Sequence, residues 1–286
     1  MPWIFKSLIG LTDLPKLSRQ SIGAALRKRG IGKFRLADLE ALSDADRAKS
    51  VVLLQDCFTS HYDIDVFTAH IDLLQKLGYR VFVPPYRPNG KALHVKGFLK
   101  RFDYQARQND IVYGRLAKTG VPLIGIEVSV TLTYRQEYAQ RLGTDRPDYR
   151  VHLFHEWLAA EIAENRLTLP ATNGNSGVTA PATLFPHCTE KTSIPDVSVK
   201  WQKIFDAFGI KLATEKTGCC GMAGVYGHET RHQETSRALY DQSWKKKVDQ
   251  TGLDNMLVTG YSCRCQVARF EGTKPRHPVE YLTELV

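Results

Sequence analysis

The 286-residue chain has 43% hydrophobic and 24% charged residues, a balance typical of globular proteins and not of disordered or fibrous ones. Its net charge of +9 would suit an acidic partner or a membrane surface, but the basic residues are scattered and no nucleic-acid-binding motif accompanies them. No apolar run reaches the roughly 18 residues of a spanning helix, and the first residues lack the features of an export signal. We therefore expect a cytoplasmic location.

Residues 1–48 are predicted to form a helical lead-in. An amphipathic pattern in "LSRQSIGAALRKRG", residues 17–30, predicts one helix, and "RLADLEALSDADR", residues 35–47, predicts a second. We place the first domain boundary after residue 48.

Residues 49–165 alternate between strand-like and helix-like segments. The run "SVVLLQDC" predicts a strand that ends near Cys57, and "DVFTAHIDLLQKLG" predicts a helix closed by Gly78. The strands "YRVFVPP" and "PLIGIEV" follow, separated by the turn "PNG" and a long helix over residues 94–120. Residues 147–167 are predicted to be helical throughout. Strands that alternate with helices indicate a parallel sheet.

Residues 166–286 repeat this order. "PATLFPHC" predicts a strand that leads to Cys188, "VSVKWQKIFDAFG" predicts a helix that ends at Gly209, and "NMLVTGYSC" predicts the last strand. The polar stretch "PATNGNSGVTAP", residues 170–181, predicts a turn or a flexible link.

The two halves align at a fixed offset. An interval of 131 positions separates three pairs of landmarks: Cys57 and Cys188, Gly78 and Gly209, and Gly90 and Gly221. Pro88-Asn89 thus stands opposite Cys219-Cys220, and Val130 falls opposite Cys263 after a two-residue shift. The sequence predicts an α/β protein of two pseudo-repeated lobes, each a small parallel sheet flanked by helices, at residues 49–165 and 166–286.

Five of the six cysteines lie in the second half: Cys188, Cys219, Cys220, Cys263 and Cys265. In a reducing compartment such clustering indicates metal or redox chemistry before disulfides. Each follows a predicted strand, so we expect the thiols to meet at the carboxyl edge of the sheet. Four thiolates suit zinc or an iron–sulfur centre. A metal-free dithiol enzyme is a third hypothesis.

These residues resemble a known family. "HC" at 187–188, "GCCGMAG" at 218–224 and "YSCRC" at 261–265 are similar to one unit of the cysteine-rich CCG domain, found in heterodisulfide reductase and in the iron–sulfur component of glycolate oxidase. The segments "QDCFTSHYD", "VPPYRPNGKALHVKGFL" and "GIEVSVTLTYRQEY" resemble the C-terminal region of FAD-linked oxidoreductases of the D-lactate and D-2-hydroxyglutarate dehydrogenase type. The resemblance covers roughly residues 48–286.

The resemblance implies an electron-transfer module with an iron–sulfur centre, of the 4Fe-4S type, in the intact lobe; a structural zinc scaffold is the alternative. The implied ligands are Cys188, Cys219, Cys220 and one or both of Cys263 and Cys265, because this chain has C-x-C where the family has C-x-x-C. FAD and a ferredoxin-like part would belong to separate domains or subunits. Whether the chain is itself an enzyme stays open, as does peripheral attachment at the inner membrane face.

Five further residues are candidates for supporting such a centre. His187 adjoins a proposed ligand, His228 follows the paired cysteines, and Gly221 brings the backbone close to sulfur. Cys57 and His61 are the corresponding candidates in the first half.

Overall fold

The computed structural model describes residues 10–13, 15–169 and 182–286. The chain divides into two compact units. We call residues 18–169 the first lobe, and residues 182–285 together with the described residues of 10–17 the thiol lobe. The turn or link predicted at 170–181 lies outside the described residues, and the boundaries predicted after residues 48 and 165 stay predictions.

A four-stranded parallel sheet with the order β2-β1-β3-β4 forms the centre of the first lobe. Its strands are β1 (Ser50–Leu53), β2 (Arg80–Phe82), β3 (Leu123–Gly125) and β4 (Val151–Leu153). All four residues of β1 are buried, as expected for a central parallel strand covered on both faces.

Helices surround this sheet. They are α1 (Ile22–Lys28), α2 (Leu36–Glu40), α3 (Asp44–Ala48), α4 (Cys57–His61), α5 (Ile64–Lys76), α6 (Lys91–Val95), α7 (Leu99–Ala117), α8 (Val128–Arg135), α9 (Glu137–Leu142) and α10 (Phe154–Ala163). The helical lead-in is confirmed in α1, α2 and α3. The bidentate ion pair between Arg29 and Asp72 fastens the end of α1 to α5.

Two details of the first lobe differ from the sequence prediction. The single helix predicted for residues 147–167 is wrong at its start, because Val151–Leu153 forms β4 and α10 begins only at Phe154. The long helix predicted for 94–120 is interrupted after α6, where Gly97 has a φ of 78°.

The thiol lobe has a three-stranded parallel sheet with the order β6-β5-β7. Its strands are β5 (Ala182–Phe185), β6 (Leu212–Thr214) and β7 (Met256–Val258). Its helices are α11 (Cys188–Ser193), α12 (Val197–Ala207), α13 (Gln233–Tyr240), α14 (Lys246–Thr251), α15 (Tyr261–Glu271) and α16 (Pro278–Leu285), with a π-helical turn at Asp241–Lys245 joining α13 to α14. The predicted α/β fold with two small parallel sheets flanked by helices is confirmed.

The structure also reproduces the 131-residue repeat. Cys57 and Cys188 each begin the helix that follows the first strand of their lobe. Gly90 and Gly221 both adopt the left-handed conformation, with φ of 79° and 86°. Val130 and Cys263 are each the third residue of the helix that follows the third strand.

In the described part of the chain, no helix is both long and apolar enough to cross a bilayer.

Candidate metal centre in the thiol lobe

The cysteines of the thiol lobe follow its three strands. Cys188 begins α11 directly after β5, and Cys263 lies in the first turn of α15 after β7. Cys219 and Cys220 lie in the loop between β6 and α13. Because the three strands are parallel neighbours, their carboxyl ends meet at one edge and bring these thiols together.

Four of the thiols form a continuous set of contacts. The thiol of Cys219 interacts with those of Cys188 and Cys220, and the thiol of Cys263 interacts with those of Cys188 and Cys220. Cys220 and Cys263 are 2% and 1% exposed and form part of the apolar core with Met222. The set is therefore half embedded in the core, and Cys188 and Cys219 occupy its partly exposed side.

The contacts within the set move the pKa values of its members apart. Hydrogen bonds from Cys188 and Cys220 lower the pKa of the Cys219 thiol, and the backbone N–H of Gly221 adds to this by donating to its Sγ at 3.4 Å. The hydrogen bond to Cys219, followed by burial, raises the pKa of Cys188. Negative charge therefore collects first on Cys219.

The loop that carries Cys219 and Cys220 depends on the glycine that follows them. A Cβ on Gly221 would lie 2.2 Å from the backbone oxygen of Ser236, so no side chain fits there. The Ser236 hydroxyl donates to the Gly221 carbonyl at 2.8 Å, and the Trp244 indole donates to the Gly218 carbonyl at 3.2 Å. Both ends of the cysteine pair are thus held by side chains of the same lobe.

Residues 182–268, which contain this whole site, match the family model of the CCG cysteine-rich domain. This segment is a CCG domain. Its membership confirms the resemblance that the cysteine pattern predicts.

The full chain also has relatives. It is 42% identical to D-2-hydroxyglutarate dehydrogenase of Haemophilus influenzae and 40% identical to that of Escherichia coli, over 99% and 97% of the chain. It spans little more than a quarter of their length, 28% and 27%. It is 22% identical to one of the subunits of anaerobic glycerol-3-phosphate dehydrogenase of Escherichia coli, over 98% of the chain and 72% of that protein.

Cys265, the other candidate of the CCG domain's last motif, is half-buried and packs against the apolar core cluster. It lies two positions beyond Cys263 on α15, and side chains two apart on a helix do not share a face. The interactions between thiols described above include Cys263.

His187 is a structural neighbour of the thiols in the CCG domain. Its ring packs on Gly260, where a Cβ would lie 2.3 Å from the imidazole. Burial lowers its pKa to about 4, so the ring is neutral near pH 7. Its Nδ1 accepts from the backbone N–H of Thr189 at 3.3 Å and its Nε2 lies 3.3 Å from the Ser262 hydroxyl, so both nitrogens have protein partners.

The other predicted supporting residues lie elsewhere. His228 is seven positions past Gly221, and its Nδ1 donates to Asp13 at 2.7 Å. Cys57 and His61 lie at the two ends of α4 in the first lobe. The His61 ring contacts Tyr86 edge to face, with 5.3 Å between ring centroids.

Sequence reasoning missed one cation beside the CCG thiols. The ammonium of Lys191, on α11, donates to the carbonyl of Thr217 and interacts electrostatically with the side chains of Cys188 and Cys263. Burial lowers its pKa. Its position three residues after Cys188 could have drawn attention to it, because i and i+3 share a helix face.

The donor chemistry of the four contacting thiols fits a sulfur-ligated group. They supply soft sulfur donors from three separate segments, with a backbone N–H directed at one sulfur, which suits an iron–sulfur centre and also zinc. The fit is one of donor chemistry and not of a preformed ligand geometry, because in the described residues no three or more His, Cys, Asp or Glu side chains are already arranged around a metal position.

Proposed function

We propose that this chain is an electron-transfer module whose CCG domain carries an iron–sulfur centre. The observation that carries the proposal is the set of four contacting thiols at one sheet edge, half in the core and half at the surface. When bound, such a centre supplies a one-electron carrier. The partly exposed side, at Cys188 and Cys219, is where electrons would enter or leave.

We assign ligation to Cys188, Cys219, Cys220 and Cys263, and leave Cys265 beside the centre. In this assignment the chain's own groups tune the site. The Gly221 N–H stabilises negative charge on Cys219, and the ammonium of Lys191 offsets the charge of Cys188 and Cys263. Core packing around Cys220 excludes water from the inner half.

The relatives of the chain support a proposal about the larger context of the module. We propose that it works within an FAD-linked dehydrogenase that oxidises a D-2-hydroxy acid such as D-2-hydroxyglutarate or D-lactate. The support is the identity of about 40% to D-2-hydroxyglutarate dehydrogenases, of which this chain matches little more than a quarter. Flavin and ferredoxin-like chemistry would take place in the remaining parts, in the cytoplasm or at the inner membrane face.

Metal analysis of the anaerobically purified protein tests this proposal. Stoichiometric iron and acid-labile sulfide with a brown absorption spectrum support the electron-transfer module. Stoichiometric zinc in a colourless protein would replace it by a structural scaffold. A metal-free protein that keeps its activity would replace it by dithiol chemistry at Cys219 or Cys220.

A matched pair of variants tests the ligand assignment. Cys263→Ser should lose most of the bound metal, whereas Cys265→Ser, two residues away on the same helix, should keep it. Far-UV circular dichroism checks that both variants fold. Equal loss of metal from both would contradict the assignment to Cys263.

A further inference from the structure

The segment at residues 10–13 is joined to the backbone just past the cysteine pair. The Thr12 N–H donates to the His228 carbonyl, and the Thr230 N–H donates to the Gly10 carbonyl, each at 2.8 Å. An antiparallel bridge between Leu11 and Glu229 lies between these two bonds. The segment therefore adds a short strand-like pairing to the thiol lobe.

A charged group completes this junction. Asp13 accepts two hydrogen bonds from the Arg269 guanidinium, at 3.0 and 2.5 Å, and one from His228 at 2.7 Å. Arg269 lies on α15 with its side chain only 12% exposed. Planar two-point pairing of this kind fixes the orientation of both groups.

The same arginine contacts the cysteine loop through the backbone. Its Nη1 donates to the Gly227 carbonyl. The Gly227 N–H donates to the Met222 carbonyl at 2.8 Å, and a Cβ on Gly227 would lie 2.8 Å from the Met222 Cα. Arg269 thus holds one tight turn against the residues that directly follow Cys220.

A second path from Arg269 reaches the loop through buried side chains. Arg269 donates to the Gln266 Oε1 at 3.2 Å, and the Gln266 amide donates to the Ser236 hydroxyl at 2.8 Å. Ser236 in turn donates to the Gly221 carbonyl at 2.8 Å. Gln266 and Ser236 are fully buried, so water cannot substitute for these bonds.

We propose that Asp13 and Arg269 are positioning residues that fix the Cys219–Cys220 loop and couple it to the segment at residues 10–13. The effect on a bound centre rests on the function proposed above, whereas the effect on the loop itself does not. The two paths meet at Gly221 and Met222. A change at Asp13 therefore alters the direction of the N–H that Gly221 aims at the Cys219 sulfur.

Asp13→Asn is the main test, because it removes the charge and keeps the shape. Asp241→Asn is the matched control, since Asp241 also pairs with an arginine in this lobe, Arg237, whose side chain is 48% exposed. Asp13→Glu keeps the charge, so it should disturb the cysteine loop less than Asp13→Asn does.

Hydrogen exchange measured by mass spectrometry reports on the loop, whether or not metal is bound. For Asp13→Asn we expect about tenfold faster exchange in peptides that cover residues 219–230, and no change for Asp241→Asn. Where a centre is present, the reduction potential and electron paramagnetic resonance spectrum should shift for Asp13→Asn and return toward the original for Asp13→Glu.

Unchanged exchange in Asp13→Asn would overturn the positioning role. An unaltered potential and spectrum, with faster exchange, would overturn the coupling to the centre. If the unsubstituted protein holds no metal but Asp13→Asn still exchanges faster, the proposed function fails while the positioning role stands. Should Asp13→Asn fold poorly, Arg269→Lys provides the same comparison, because it keeps the charge and loses the two-point pairing.

Discussion

The first lobe and the thiol lobe hold equivalent turns by different side-chain contacts. Each must hold a tight turn, centred on Gly90 or Gly221, at the edge of a small parallel sheet. In the thiol lobe this turn carries Cys219 and Cys220 and is held by Ser236 and Trp244.

In the first lobe the turn contains Pro88 and Asn89 and is held by a buried polar network. The Asn109 amide donates to the Pro88 carbonyl at 2.7 Å and to the Tyr138 hydroxyl at 2.8 Å. Tyr138 then donates to the Asn89 carbonyl at 2.8 Å. Asn109 and Tyr138 are both fully buried.

A turn of this kind can therefore be closed without thiols. Hydrogen bonds from neutral side chains close it completely in the first lobe. The thiols of the other lobe are therefore not needed to close such a turn, which supports the role proposed for them above.

The two equivalent glycines provide the sharpest test of this comparison. Gly221→Ala should destabilise the protein by about 4 kcal/mol or more, because its Cβ would collide with backbone at Ser236. Gly90→Ala should cost about 2 kcal/mol, since its Cβ would lie 2.9 Å from the Phe102 ring, which can shift. Urea denaturation measures the free energy of unfolding of both variants. A larger loss for Gly90→Ala than for Gly221→Ala would contradict the prediction.

The polar network of the first lobe should show the next largest effect. Asn109→Ala removes the donor to Pro88 and Tyr138 and leaves buried partners unsatisfied, at a cost of about 3 kcal/mol. Metal content should not change. Gln105→Ala, which removes one 3.3 Å bond to Asn109 from a half-buried position, is the control and should cost far less. Loss of metal in Asn109→Ala would contradict the prediction that this network stabilises only the first lobe.

The first lobe should also carry a pH dependence through Glu156. Burial alone would raise the pKa of this carboxyl, but the hydrogen bond from Arg135 at 2.5 Å outweighs it and holds the pKa below its ordinary value of 4.5. The stabilisation is therefore fully present above pH 4.5 and is lost as the pH falls through the lowered pKa.

Glu156→Gln should accordingly cost about 2 kcal/mol near neutral pH and progressively less below pH 4.5. Thermal unfolding as a function of pH measures this difference. Arg150→Ala is the control, because Arg150 is 55% exposed and its contact with Glu156 is 3.3 Å long. A constant difference between Glu156→Gln and the unsubstituted protein across the pH range would contradict the prediction.

The smallest effect is expected at the remaining thiol of the first lobe. Cys57→Ser should change stability by less than about 0.5 kcal/mol and leave metal content unaltered. Burial, together with the charges of Asp56 and Glu127, raises the pKa of Cys57 to about 12, so it stays a neutral thiol at physiological pH. Loss of metal in Cys57→Ser would assign it to the centre after all.

The sequence predicts the fold and the thiol set for a physical reason. Burial of a parallel strand produces a continuous apolar run, and glycine is favoured where φ is positive, so strands, helix ends and the offset of 131 positions are visible in the residue pattern. The exception at β4 has the same origin. Val151 fits the inward face of a helix together with Phe154 and Leu158, but Val151 and Leu153 also fit the alternation of a strand, and only tertiary pairing with β3 decides between the two.

The side chains around the thiols could not be predicted in the same way. Asp13 and Arg269 are 256 positions apart, and nothing in the local pattern of either residue indicates a partner. Ser236 and Gln266 occupy ordinary helical positions whose value arises only when α13 and α15 pack together. The choice between Cys263 and Cys265 likewise depends on which face of α15 meets the sheet edge.

The contrast between Gly260 and Glu127 has a consequence for protein design. Introducing cysteines at Pro88, Asn89 and Val130 would copy the thiol pattern into the first lobe, but Glu127 stands where the thiol lobe has a glycine, and Asp56 stands where it has a neutral imidazole. Two carboxylates oppose the negative charge that thiolate ligands must carry. A second sulfur site would therefore require the removal of both carboxylates, with Glu127→Gly and Asp56→His as the first substitutions.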